Sequence, residues 1–290
     1  MQSKKLKQYF RAAQKGKWAI GQFNVSNIET LKGIFEAAKK LKSPIIIGTS
    51  EGESRFLGLR QTRALASLFE AETGVSAILN LDHGKTFDYI KKAIAAGYDS
   101  VHFDGSALPL SQNIALTRRV VRYAAKFGVL VEGEVGMIPG SSKILEKLSK
   151  SKIEDLTDPA AAKNFIDKTG VDSLAINIGT FHGIMFSGKN PRINIARLKE
   201  IREALGKKVF LVLHGGSGTP PGDVKAAIKL GIVKVNINTE LRKAFTGALK
   251  TLFKKKSEEI APYKYLPKSI LAVQRTVEEK IKLLGSVNKL

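Results

Sequence analysis

One closed (β/α)8 TIM barrel is the fold class this sequence predicts, and three observations carry the prediction. Short β-branched, apolar runs alternate with longer stretches of helical period along the chain, the pattern of βα units on a parallel sheet. There are eight such runs, the number that closes a barrel in about 250 residues. No Gly-x-Gly-x-x-Gly follows the first run, and no Pro, Gly or Ser-rich linker splits the series. An open dinucleotide-binding sheet and a two-domain chain are therefore disfavoured, and one domain over residues 1–290 is expected.

In chain order, the opening segment carries Lys4, Lys5 and Lys7 beside apolar residues. It reads as an amphipathic helix closing the barrel bottom rather than as a transit peptide. The first strand spans 18–25 and feeds a helix over 28–41; the second spans 44–49 and the third 76–81. A helix over 87–96 follows, stopping at Gly97, where a C-cap is expected. Strands four to eight are placed at 100–104, 129–135, 173–179, 208–213 and 232–237. The connections 136–157 and 180–194 exceed the usual short βα loops and are read as active-site lids. A helical extension begins at Glu240, passes Pro262 and Pro267, and ends near Gly285.

Composition removes several classes of function. No stretch approaches the ~18 uninterrupted apolar residues of a membrane span, and the first strand-like segment lacks the flanks of a signal peptide. A soluble, cytoplasmic protein with no membrane partner is expected. With no cysteine, disulfides, thiolate ligands and a cysteine nucleophile are excluded, so a transition metal must use His, Asp or Glu. The formal net charge is +22, from 48 Lys and Arg against 26 Asp and Glu. Such a field would steer a phosphorylated metabolite or bind nucleic acid. Lys39, Lys40, Lys91, Lys92 and Lys254 fall in helical segments, however, and solvated helix faces are the preferred account over a nucleic-acid partner.

Three of the four histidines sit at or just past the carboxyl end of a strand: His83 after strand three, His182 after strand six and His214 after strand seven. In a barrel these ends share one rim, so the three imidazoles are candidate ligands of a divalent metal with a coordination position left open. The all-nitrogen set favours zinc, with iron, cobalt and manganese left open. Asp82, beside His83, is a candidate general base or a carboxylate orienting a ligand histidine. Gly215, Gly216 and Ser217 leave strand seven, and Asn236, Ile237, Asn238 and Thr239 end strand eight. Barrels tend to bind phosphate there, with glycines admitting backbone N–H groups to the anion and the next helix adding its positive end. The fourth histidine, His102, shares a strand face with Asp104 and is read as buried and hydrogen-bonded.

With Gly21-Gln22-Phe23-Asn24-Val25, Leu81-Asp82-His83-Gly84, Phe103-Asp104-Gly105-Ser106, Glu132-Gly133-Glu134, Gly179-Thr180-Phe181-His182-Gly183 and the two phosphate turns in barrel order, the chain closely resembles the class II fructose-bisphosphate and tagatose-bisphosphate aldolases. The resemblance runs nearly end to end. It implies that His83, His182 and His214 hold a catalytic zinc, that Asp104 and Glu134 form a second or alternate metal position, and that Asp82 is the proton donor and acceptor. It also implies that Gly183, Gly215 to Ser217 and Asn236 to Thr239 hold a dihydroxyacetone phosphate half, with a monovalent cation (Na+ or K+) beside it. Arg242 matches the arginine that fructose-type enzymes direct at the distal phosphate. The implied substrate is a phosphorylated ketose, fructose 1,6-bisphosphate ahead of tagatose 1,6-bisphosphate, and the implied assembly a homodimer or homotetramer. Two departures stand out. Many relatives carry a glutamate in the loop after strand five where this chain has Gly140-Ser141-Ser142-Lys143, the nearest carboxylates being Glu146 and Glu154. Asn238 matches neither the fructose nor the tagatose pattern. A weakened barrel that chiefly binds anions or RNA is the rival reading, as is an aldolase for another phosphorylated sugar acid. Lys189, in the loop after strand six, is a further phosphate contact to consider.

Overall fold

The computed structural model describes residues 2–146, 155–187, 190–254 and 259–290. Eight parallel strands close into a barrel: β1 (Ile20–Asn24), β2 (Ile45–Ser50), β3 (Ala77–Gly84), β4 (Ser100–Phe103), β5 (Leu130–Val135), β7 (Ser173–Ile176), β9 (Phe210–Leu213) and β10 (Ile232–Ile237). The fold class and all eight strand positions agree with the sequence. Two further strands, β6 (Gly140–Leu145) and β8 (His182–Met185), were not expected. They lie in the two long connections and pair in parallel with each other, Gly140 opposite His182 and Leu145 opposite Met185.

The helices are α1 (Gln2–Gly16), α2 (Ile28–Leu41), α3 (Glu51–Leu57), α4 (Leu59–Thr73), α5 (Phe87–Ala95), α6 (Leu110–Ala125), α7 (Pro159–Thr169), α8 (Ile195–Leu205), α9 (Pro221–Lys229), α10 (Thr239–Lys254), α11 (Pro262–Tyr265) and α12 (Pro267–Leu284). Their ends follow local chemistry. Asn27, Thr86, Asp158 and Asn194 each accept a backbone N–H as N-cap, and Gly97 and Gly285 leave α5 and α12 in left-handed conformation. The last helix, α12, packs on α2 and α10, tied to α2 by Lys40 on Glu278 at 2.8 Å.

Side-chain alternation decides what the barrel holds. With period two, Ile20, Gln22 and Asn24 point inward on β1, Ile78, Asn80 and Asp82 on β3, and Leu130, Glu132 and Glu134 on β5. The interior is thus graded from apolar at the bottom to titratable at the top. Ile20, Ile46, Ile78, Leu130 and Val233 form the lowest layer, and Leu6, Phe10 and Ala13 of α1 cap it, as the amphipathic opening segment predicts. Above that layer, Asn80 donates to Gln22 Oε1 at 2.8 Å and Ser100 to Asn80 Oδ1 at 2.6 Å.

On the other side of the barrel, Lys234 Nζ donates to Glu132 Oε2 at 2.7 Å, both residues buried. Burial works against the charged form of Glu132, yet the Lys234 ammonium and a bond from His214 hold its carboxyl well below the ordinary range. Lys234→Met should therefore cost about 3–5 kcal/mol, because it strands a buried carboxylate. Urea unfolding measures this, and a loss under about 1 kcal/mol would show that Glu132 is not charged in the fold.

Candidate active site

The upper rim gathers the three rim histidines and the fourth. His83 stands at a bulge late in β3, where the register to β4 shifts between Leu81 and Gly84. Its φ is +52°, a left-handed value rare outside glycine and one that recurs where structure over-determines a functional side chain. The bulge lets neighbours diverge: Asp82 continues the inward row of β3 while the His83 ring swings to the centre of the rim. Ring centroids of His83 and His182 lie 4.7 Å apart, those of His83 and His214 4.7 Å, and those of His182 and His214 5.6 Å.

Hydrogen bonds fix the tautomers. His83 Nδ1 lies 2.8 Å from Asp104 Oδ2, and His214 Nε2 lies 2.9 Å from Glu132 Oε1. A carboxylate only accepts, so both of these ring nitrogens carry the proton. The other two, His83 Nε2 and His214 Nδ1, face each other at 3.0 Å, so a proton on one of them, or a metal ion, stands between the two. His182 Nε2 is buried and has no hydrogen-bond partner. Burial, followed by the charge of His83, holds His182 well below the usual imidazole range, and burial carries His214 down to about 4. Neutral imidazoles are what a metal binds. His83 goes the other way: burial is outweighed by Asp82, Asp104 and Glu134, which raise it to about 9. The atoms close enough together to share one ion are those of Asp82, His83, His102 and His214, with His83, Asp104 and Glu134 as a second group; His182 is in neither group, its ring standing beside that of His83.

His102 is fully buried, as expected. Its Nδ1 accepts the His83 backbone N–H at 3.2 Å, which places its proton on Nε2, 3.4 Å from Glu134 Oε2. His102 thereby props the bulge from beneath.

Asp82 is 6 % exposed. Asn24 Nδ2 donates to its Oδ2 at 2.9 Å and Asn236 Nδ2 to its Oδ1 at 3.1 Å. Burial alone would raise its pKa, but the adjoining His83 charge and His102 keep it well below the usual carboxylate value. It is an ionised base held by two amides.

These groups open onto a cleft of about 340 Å³. Of the expected phosphate residues, Gly183, Gly215, Ser217, Asn236, Asn238, Thr239 and Arg242 line it. Gly215 has φ +68° and lies so close to the Phe181 carbonyl that a Cβ would collide with it, so only glycine turns the chain there. The Ser217 hydroxyl accepts from the backbone N of Asn238 and Glu240 at 3.2 and 3.3 Å, leaving its own proton for a ligand. Two expected residues are not part of the cleft wall. Gly216 donates its N–H to Asn236 O at 2.9 Å, and the Ile237 side chain joins the outer core, since alternation turns it away when Asn236 points in.

Sequence reasoning overlooked several residues around the cleft: Asn24, Ser50 and Lys85 line it, Lys85 bonding Asp104, while Glu53, Glu132 and Lys234 lie behind it. Ser141 and Ser142 of β6 form part of its wall. Glu146 is exposed at the end of β6, and Glu154 and Lys189 lie outside the described residues.

Comparison with known proteins now bears on this geometry. Residues 4–289 match the family model described as fructose-bisphosphate aldolase class-II. The chain belongs to the class II aldolase family. Among solved structures it is similar to the YdjI aldolase of Escherichia coli K12, 32% identical, with a TM-score of 0.83 over 98% of each chain. The fructose-bisphosphate aldolase of Campylobacter jejuni, 22% identical, shares the fold with a TM-score of 0.84 over 100% of this chain and 97% of that one. Class II aldolases are metal-dependent lyases acting on phosphorylated sugars, and the histidine and carboxylate cluster of this one is its candidate metal site. No helix among the described residues is long and apolar enough to cross a membrane.

Proposed function

We propose that this class II aldolase reversibly cleaves a phosphorylated ketose between C3 and C4, releasing dihydroxyacetone phosphate and an aldehyde, within one catalytic domain. Fructose 1,6-bisphosphate, giving glyceraldehyde 3-phosphate, is the leading substrate, and its C4 epimer tagatose 1,6-bisphosphate is the alternative. The observation that carries the reading is the facing pair of His83 Nε2 and His214 Nδ1 at 3.0 Å, able to share a proton or a metal ion, beside an ionised Asp82.

His83, His182 and His214 would hold the divalent ion, proposed as zinc, with Asp104 and Glu134 as a second or alternate position. When bound, the ion supplies a Lewis acid for the ketose carbonyl. Asp82 takes the C4 hydroxyl proton as the C3–C4 bond breaks. The bonding electron pair stays with the three-carbon fragment, and a proton delivered to C3 completes dihydroxyacetone phosphate. Gly183, Gly215 to Ser217 and Asn236 to Thr239 would fix the C1 phosphate, with a monovalent cation (Na+ or K+) beside it. Binding energy from that phosphate, remote from the reacting carbons, holds the ketose in register. Arg242 lines the same cleft. A homodimer or homotetramer in the cytoplasm is the proposed working form.

A coupled assay of dihydroxyacetone phosphate release from both bisphosphates tests this. Chelator should abolish turnover and added zinc should restore it, whereas chelator-resistant cleavage would remove the metal from the reading.

A further inference from the structure

The cleft continues past the reacting centre. Asn24, Asn238 and Arg242 line both it and a second cavity of about 290 Å³. The walls of that cavity carry the side chains of Ser26, Thr30, Thr246 and Phe245, neutral groups with hydroxyls among them. Glu53 belongs to the same wall and is 6 % exposed.

An ion pair stands where the two spaces meet. Glu53 Oε1 accepts from Arg242 Nη2 at 2.6 Å and from Asn238 Nδ2 at 3.1 Å. Its Oε2 accepts from the Ser50 backbone N at 2.8 Å and from Asn24 Nδ2 at 3.0 Å. Arg242 Nη1 donates to the Ser142 carbonyl at 3.2 Å. The guanidinium charge is therefore already matched by a carboxylate buried beside it. Among the described residues, the other Lys or Arg side chain lining either space is Lys85, and it is bonded to Asp104.

A second phosphate at this end needs unbalanced positive charge. Here it would meet a neutralised pair and lie close to the Glu53 carboxylate, which repels it. The remaining groups, the Ser142 hydroxyl and the outer edge of the guanidinium, suit hydroxyl groups.

We infer that the distal subsite reads the hydroxyls of an uncharged polyol tail, and that the substrates this site is built for are ketose 1-phosphates long enough to enter the second cavity. The inference rests on the aldolase reading and names its substrate class. The bond broken and the proton transfers are unchanged; the released aldehyde is a neutral hydroxyaldehyde. Fructose 1,6-bisphosphate shares the C1-to-C4 portion and is cleaved through it, its 6-phosphate adding nothing to recognition.

The test uses the full chain loaded with zinc, in the synthetic direction, with dihydroxyacetone phosphate and paired acceptors: glyceraldehyde against glyceraldehyde 3-phosphate, and erythrose against erythrose 4-phosphate. The unphosphorylated member of each pair should have the equal or higher kcat/KM, and erythrose should exceed glyceraldehyde. Glu53→Gln removes the charge at constant size and suits the N-cap of α3, so the ratio of phosphorylated to unphosphorylated kcat/KM should rise about tenfold, through KM. A wild-type preference of about tenfold or more for the phosphorylated acceptors, or for an acceptor ending in a carboxylate, would overturn the inference. So would an unchanged ratio in a folded Glu53→Gln protein. No condensation with any acceptor would instead sink the aldolase reading itself.

Discussion

Replacing His182 with alanine should remove both the metal and the activity. The ring of His182 closes the third side of the histidine cluster, 4.7 Å from His83 and 5.6 Å from His214 between centroids, and its Nε2 is buried with no protein partner. A buried polar atom left unpaired costs about 1–3 kcal/mol, a cost that a bound ion repays. Two imidazoles would remain in the variant, short of the three protein ligands of a catalytic zinc site. Metal content by elemental analysis should fall from stoichiometric to trace after dialysis, and kcat/KM should fall by more than about 10³-fold. The fold should survive, because among the described residues the Nε2 of the ring makes no hydrogen bond on which the barrel depends. Stoichiometric zinc in the His182→Ala protein would show that another group, with His102 and Asp104 the nearest alternatives, completes the ligand set.

The barrel was legible because each parallel strand is buried on both faces and so reads as an apolar run, such as Ile45-Ile46-Ile47. β6 escaped because Gly140, Ser141 and Lys143 are exposed and show no alternation; only its partner β8, some forty residues on, makes that segment a strand. The three rim histidines were visible since each lies at, or within a few residues past, the carboxyl end of an apolar run. Their supporting partners were not, because Glu132 meets His214 across 82 residues and Lys234 across 102. One local signal did exist: Lys234 interrupts Ile232-Val233 and Val235 inside a strand, and a charge alternating with β-branched residues asks for a buried partner. The same alternation rule would have turned Ile237 away from the phosphate site. Glu53 is visible locally as the third residue of a capping box with Ser50. Its pairing with Arg242 depends on closure of the barrel.

Asp82→Ala should separate catalysis from metal binding. Asp82 sits beside a proposed ligand in sequence and its carboxylate lies among the metal-compatible atoms of His83, His102 and His214, but its hydrogen bonds run to Asn24 and Asn236, and His102 Nδ1 lies 3.9 Å away. The rings of His83 and His214 are oriented by Asp104 and Glu132 instead. Removing Asp82 therefore leaves the tautomers, and the metal, in place. What is lost is the base that receives the C4 proton, an effect of about 10²–10⁴ in kcat. KM should change far less, since the phosphate turns are untouched. Elemental analysis alongside steady-state kinetics makes the distinction. Loss of zinc in parallel with activity would assign Asp82 to orienting the metal site, and retention of more than about a tenth of wild-type kcat would pass the proton transfer to another group. The low pKa of Asp82 fits the catalytic outcome, because an ionised carboxylate is ready to accept a proton, while its burial makes the protonated form easy to hold for the reverse condensation.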